Sequence, residues 1–173
     1  MKRYPENIDG DCSEMLNFSL IYTGILILAS AWFFLIFAVP VWIHGNAFER
    51  TAADLIRLFF APVCHQIPER SFQLSGHSLA VCARCTGLYG GVVAGLLFYP
   101  VIKTVGNKSI PPPRVLLFSA IPTMVEWILS HLNLVESSNW IRSLAGSVLG
   151  AAVVFWLLPA AFQLVDFKTT IKR

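Results

Sequence analysis

The 173-residue chain is 55% hydrophobic and only 13% charged, with a formal net charge of +3 and a mean hydropathy of +0.64. Soluble domains carry about 25% charged residues, so this composition excludes an ordinary water-soluble fold and points to an integral membrane protein. The basic excess lies in tails and loops and leaves no nucleic-acid footprint, so membrane lipids are the expected surroundings.

Residues 1–15 hold Lys2, Arg3, Glu6, Asp9, Asp11 and Glu14 without apolar periodicity and read as a mobile N-terminal tail, in which Cys12 is incidental. The apolar run 16–43 is longer than the roughly 7–15 residues of a signal-peptide core and reads as a retained first span. Pro40 kinks or finishes it. A long polar connection follows, from residue 44 to about residue 79. Within it, Leu55, Ile56, Leu58 and Phe59 alternate with Asp54 and Arg57, an amphipathic pattern suited to a helix lying at the membrane interface and closed by Pro62. A turn at Pro68-Glu69-Arg70 leads to Ser75-Gly76-His77-Ser78, where Ser75 or Ser78 is placed to cap the next helix.

The second span covers residues 81–102. A basic, proline-rich loop with Lys103, Lys108, Pro111, Pro112, Pro113 and Arg114 separates it from a third span at 115–135, and a short polar link leads to a fourth at 140–165. The chain closes on a basic C-terminal tail, 167–173. The expected fold is thus all-α: one four-span membrane domain, residues 16–166, with a long Cys/His-containing loop between spans one and two. Lysines and arginines set the orientation. With both termini cytoplasmic, Lys2, Arg3, Lys103, Lys108, Arg114, Lys168, Lys172 and Arg173 lie inside, and the Cys-rich loop is extracytoplasmic at the cell membrane. The inverted orientation is the alternative.

Reactive side chains concentrate between residues 64 and 91: three of the four cysteines, His65, His77, Arg70 and Arg84. Cys82 and Cys85, three apart at a helix start, share a face where backbone N–H groups and Arg84 favour thiolates. One chemistry for this set is a Cys3His shell, with Cys64, Cys82, Cys85 and either His65 or His77 binding zinc or iron. A second is thiol–disulfide exchange, in which Cys82 and Cys85 cycle between dithiol and disulfide with Cys64 as the exchange partner, and a membrane quinone accepts the electrons. The third is a structural disulfide, in a subunit with no chemistry of its own. Arg70 and Arg84 flank the cysteines and suit a phosphate or carboxylate on a small polar ligand or a lipid headgroup, with Gln66 and Tyr89 as nearby donors.

Glu126 falls inside the expected third span, where a carboxylate must face the bundle interior and either be protonated or find a partner; Arg84, Arg142 and His131 are the candidates. If the protein is an enzyme, Cys82, Cys85 and Glu126 are its candidate catalytic residues. Gly87, Gly91 and Gly95, like Gly146 and Gly150, recur every fourth residue and allow close helix approach. Four spans of this size enclose little space, so self-association or assembly in a membrane complex is an open expectation.

The order Cys-His-Gln (64–66), Arg-Ser-Phe (70–72) and Cys-x-Arg-Cys-x-Gly-x-Tyr-x-Gly (82–91) resembles a family of small predicted multi-pass membrane proteins of bacteria and archaea, known as a domain of unknown function. The likeness extends more weakly over 121–150. There the family's pattern implies an acidic residue in span three, where aspartate is expected and Glu126 stands, and an arginine shortly before a glycine, as in Arg142 and Gly146. In architecture alone the chain is similar to quinone-linked disulfide-forming membrane enzymes, from which it departs in its long first loop, in His65 and in lacking a second cysteine pair.

Overall fold

The computed structural model describes residues 8–171 other than 106, 108 and 133. Five helices account for most of it: α1 Ile8–Trp42, α2 Ala47–Phe60, α3 Ala83–Ile102, α4 Pro113–His131 and α5 Asn139–Ile171. The first helix begins before residue 16 and the last runs past residue 166, so both are longer than the expected spans. Residues 1–7 and 172–173, parts of the two expected tails, lie outside the described residues.

Three helices are long and apolar enough to cross a membrane, over Phe18–Trp42, Ala83–Ile102 and Asn139–Leu164. α4, at 19 residues, has the length, but Ser119, Thr123, Glu126 and two internal or N-terminal prolines dilute its apolar character.

α3 and α5 form the tightest pair. A Cβ at Gly87 would overlap the Ser143 carbonyl, one at Gly91 the Ser147 carbonyl, and one at Gly95 would stand 3.0 Å from the Ala151 Cα. Each contact lies four residues on from the last along both helices, so α3 and α5 run parallel. From the α5 side, Gly146 and Gly150 likewise accept the Arg84 and Leu88 carbonyls. Small residues on both helices thus bring the two backbones together, as their spacing predicts. α4 returns the chain between them and packs antiparallel on α5, with Thr123 Oγ1 donating to the Ala145 carbonyl at 2.9 Å and Arg142 reaching Ser130 at 3.3 Å.

α1 lies antiparallel to α3: the Tyr22 hydroxyl donates to the Leu96 carbonyl at 2.6 Å near one end, and Phe33 stands beside Gly90 towards the other. One apolar core near that first end joins Phe18, Leu96, Tyr99, Val154, Leu158 and Phe162. A second holds the polar connection onto the bundle through Ile36, Val39, Ala53, Ile56, Phe60, Leu79 and Val81.

That connection is more ordered than its composition announces. α2 opens on a capping box, Asn46 with Glu49, and buries Ala53, Ile56 and Phe60 while Phe48, Leu55, Leu58 and Phe59 stay exposed. Gln73–Leu74 (β1) and His77–Ser78 (β2) then form a small antiparallel hairpin. Its turn residues, Ser75 and Gly76, have φ of 53° and 81°, the left-handed pair that a two-residue hairpin turn needs. Ser75 and Ser78 therefore serve the hairpin; the cap of α3 is Cys82.

Candidate metal centre

Cys64 is delivered by the end of α2. The N–H groups of Val63 and Cys64 both donate to the Phe60 carbonyl, at 3.1 and 3.0 Å, winding the chain one turn past the helix. Gln66 then takes a left-handed φ of 50°, and its side-chain amide donates to the Arg57 carbonyl at 2.7 Å. That bond turns the chain back over α2 and engages the amide nitrogen of Gln66 within the loop. Cys82 is the N-cap of α3, and Cys85 lies in the first turn.

The three sulfur atoms consequently meet, all within 4.8 Å of one another. All three cysteines are free, with Cys64 buried and the other two half-buried. The Cys82 backbone N–H donates to Cys64 Sγ at 3.2 Å. Metal–sulfur bonds of ~2.3 Å in a tetrahedral arrangement put sulfurs ~3.8 Å apart, so a small contraction closes this set on an ion. The Cys82 thiol, then that of Cys85, and the N–H groups of Cys82 and Gln66 push the Cys64 thiol well below its ordinary range, against the upward push of burial, while the same interaction keeps the proton on Cys85. A residue made acidic by this many donors is a ready metal ligand or nucleophile.

Of the two histidines expected near the cysteines, neither joins the sulfur group. His65 is exposed and lines the cavity beside it. His77 sits in the hairpin, its ring 4.5 Å from that of His44. Tyr89 packs between Trp32 and Phe60, with ring centroids 6.0 and 6.1 Å away, and does not line the cavity.

The cavity has a volume of about 310 Å³, and the three cysteines share its wall with His65, Arg70, Arg84, Arg142 and Trp127. Behind that wall is Glu126, with only 5% of its side chain exposed. Arg84 pairs with its Oε2 through Nε at 3.0 Å and through a terminal nitrogen. Ser137 donates to Oε1 at 2.8 Å, and Arg142 Nε approaches the same oxygen at 3.4 Å. The carboxylate thus has the two arginine partners its burial demanded, whereas His131 stacks on Trp127 at 5.3 Å. Because Arg84 lies between Cys82 and Cys85, the ion pair ties α4 to the first turn that carries the thiols. Trp127 and Ser137 were not legible as site residues; the adjacency of Trp127 to Glu126, and the position of Ser137 just before α5, are the only hints the chain offers.

Residues 64–156 match the family model described as "Predicted membrane protein (DUF2085)", a segment that encloses every residue of this site. The uncharacterized protein MJ1492 of Methanocaldococcus jannaschii is 34% identical over 150 residues, covering 85% of this chain and 96% of that protein. An uncharacterized protein of Methanothermobacter thermautotrophicus is 31% identical over 122 residues, 69% of this chain and 96% of its own length. No solved structure matches the chain.

Proposed function

The chain belongs to that family of predicted membrane proteins, and on this premise we propose that it is a multi-pass protein of the cell membrane whose Cys64, Cys82 and Cys85 hold a zinc or iron ion beside a ligand pocket. The observation that carries the reading is the meeting of three free sulfurs, one from the end of α2 and two from the start of α3, within 4.8 Å. Three thiolates leave a fourth position for His65, water or a ligand in the cavity, where a bound metal would supply Lewis-acid chemistry. The chain's own residues bind and orient: Arg70, Arg84 and Arg142 present guanidinium groups to a small polar or lipid-headgroup ligand, and Glu126 holds two of them in place.

The reading includes four spans. α3 and α5 run parallel, so if both cross the bilayer, the chain must return through it between them, and α4 is the segment available. With both termini cytoplasmic, the starts of α3 and α5 lie at the extracytoplasmic face, and the metal centre with them.

The test is metal content. Detergent-purified protein should carry about one zinc or iron per chain by mass spectrometry, and Cys85→Ser prepared identically should carry none; metal-free wild-type protein would overturn the reading.

One observation favours a second reading. The Cys64 sulfur accepts the Cys82 backbone N–H at 3.2 Å and lies within 4.8 Å of both other thiols, whose proximity lowers its pKa, an arrangement that suits disulfide exchange. In that case Cys82 and Cys85 would be oxidised to a disulfide, passing two electrons and two protons to a quinone, which becomes quinol. An accessible Cys82–Cys85 pair that forms a disulfide with added quinone would support it.

A further inference from the structure

The charge around the cavity is unbalanced. Arg70, Arg84 and Arg142 line it, and the carboxylate that reaches two of them is Glu126, both of whose oxygens are already engaged. Arg70 forms no ion pair among the described residues. One carboxylate neutralises one guanidinium, leaving two positive charges. On the metal reading proposed above, a divalent ion in three thiolates carries one net negative charge, and a single positive charge remains.

The depth of these groups indicates what neutralises it. Arg84 is the second residue of α3 and Arg142 the fourth of α5, both at the starts of helices able to cross a bilayer. Guanidiniums in the first turn of a span lie at the level of the lipid phosphates. Arg70 comes from the turn Pro68–Arg70, outside the spans. On the far wall Trp127 lines the cavity while 52% exposed, so the cavity reaches the outer side of α4, where lipid would lie.

We propose that this cavity takes a singly charged phosphate ester, the headgroup phosphodiester of a membrane lipid, held by the guanidiniums of Arg70, Arg84 and Arg142 that line it. The 310 Å³ volume lies at the small end of ligand pockets, enough for a headgroup whose acyl chains run down α4 into the bilayer. Planar guanidiniums meet phosphate oxygens with paired N–H groups. Glu126 is a positioning residue: it engages one edge of Arg84 and the Nε of Arg142, whose terminal nitrogen also donates to Ser130, and so fixes both guanidiniums beside the cavity. The metal reading enters through the charge count alone.

Native mass spectrometry of the full chain in detergent tests this, with phosphatidylglycerol as the lipid probe, inorganic phosphate as the free probe, and metal content read on the same samples. Wild type should bind one phosphatidylglycerol, and Arg70→Gln should weaken it by roughly ten- to a hundredfold, the scale of a lost charge-assisted hydrogen bond, with metal content unchanged. Arg142→Gln should weaken it at least as much in protein whose helicity is intact. Lipid binding unaltered in Arg70→Gln would overturn the proposal even if the metal is present. Arg70-dependent binding of inorganic phosphate without lipid binding would overturn the lipid as its source. Arg70-dependent lipid binding by a chain that carries no metal would uphold the phosphate site and remove only the metal reading.

Discussion

Cys64 is the residue on which the site's chemistry turns, because it is the sulfur most surrounded by donors. An ordinary thiol titrates near 8.5, whereas the neighbouring Cys82 and Cys85 thiols push Cys64 well below that value, and the proton stays in turn on Cys85. A folded value below the unfolded one means that the thiolate contributes stability in full above the unfolded value, and loses it progressively as pH falls towards the folded value. In metal-stripped protein, the thiolate ultraviolet absorbance lost in Cys64→Ser should therefore persist below the ordinary thiol value of about 8.5; a step near that value would show that the donors do not hold the charge. The pairing of Glu126 with Arg84 and Arg142 was legible for a similar reason, since a charge buried at this cost must find a partner. The fate of His77 was not. A Ser-Gly turn too short to show any strand periodicity swings it towards His44, away from the sulfurs.

Among the elements, the α3–α5 pair sets the precision of the site, for it fixes Arg84 and Cys85 against Arg142. The contact is backbone on backbone, so a methyl group has nowhere to go. Gly87→Ala or Gly91→Ala would press on the Ser143 or Ser147 carbonyl and should cost about 2–3 kcal/mol by overpacking, read as a lower midpoint of thermal unfolding in detergent. Gly24→Ala, where a Cβ meets nothing within 4 Å, is the matched control and should leave the midpoint unchanged or raised. Equal midpoints for all three variants would show that α3 and α5 separate more readily than their seam implies. The four-residue glycine spacing announced this seam, because only small residues let helix backbones approach. It did not announce direction, which needs the partner residues on the other helix. The hairpin and the capping box of α2 were hidden in a stretch that composition marks only as polar.

For the whole molecule, the parallel run of α3 and α5 bears on how many times the chain would cross a bilayer. Hydropathy alone selects α1, α3 and α5, and three crossings with α3 and α5 parallel would leave the chain on the wrong side between them. On the proposed four-span reading α4 makes the return, and its pattern suits that: its buried side carries Ser119 and Glu126 while Leu117, Phe118, Ile121, Met124 and Ile128 face outward. The polar residues that lower its average are the ones turned inward, where the arginines satisfy the charge. A window average cannot separate a helix that is polar inside and apolar outside from one that is mildly polar all round. The consequence is a topology that can be measured at the two ends of α4. Ser109→Cys and Glu136→Cys, each in an exposed segment flanking that helix, should react with a membrane-impermeant maleimide from opposite sides of sealed vesicles, Glu136→Cys from the face that carries the three clustered cysteines. Peptide mass spectrometry separates these labels from any on the native cysteines. Labelling of both from one side would mean that α4 lies along the surface, and that α3 and α5 do not both cross.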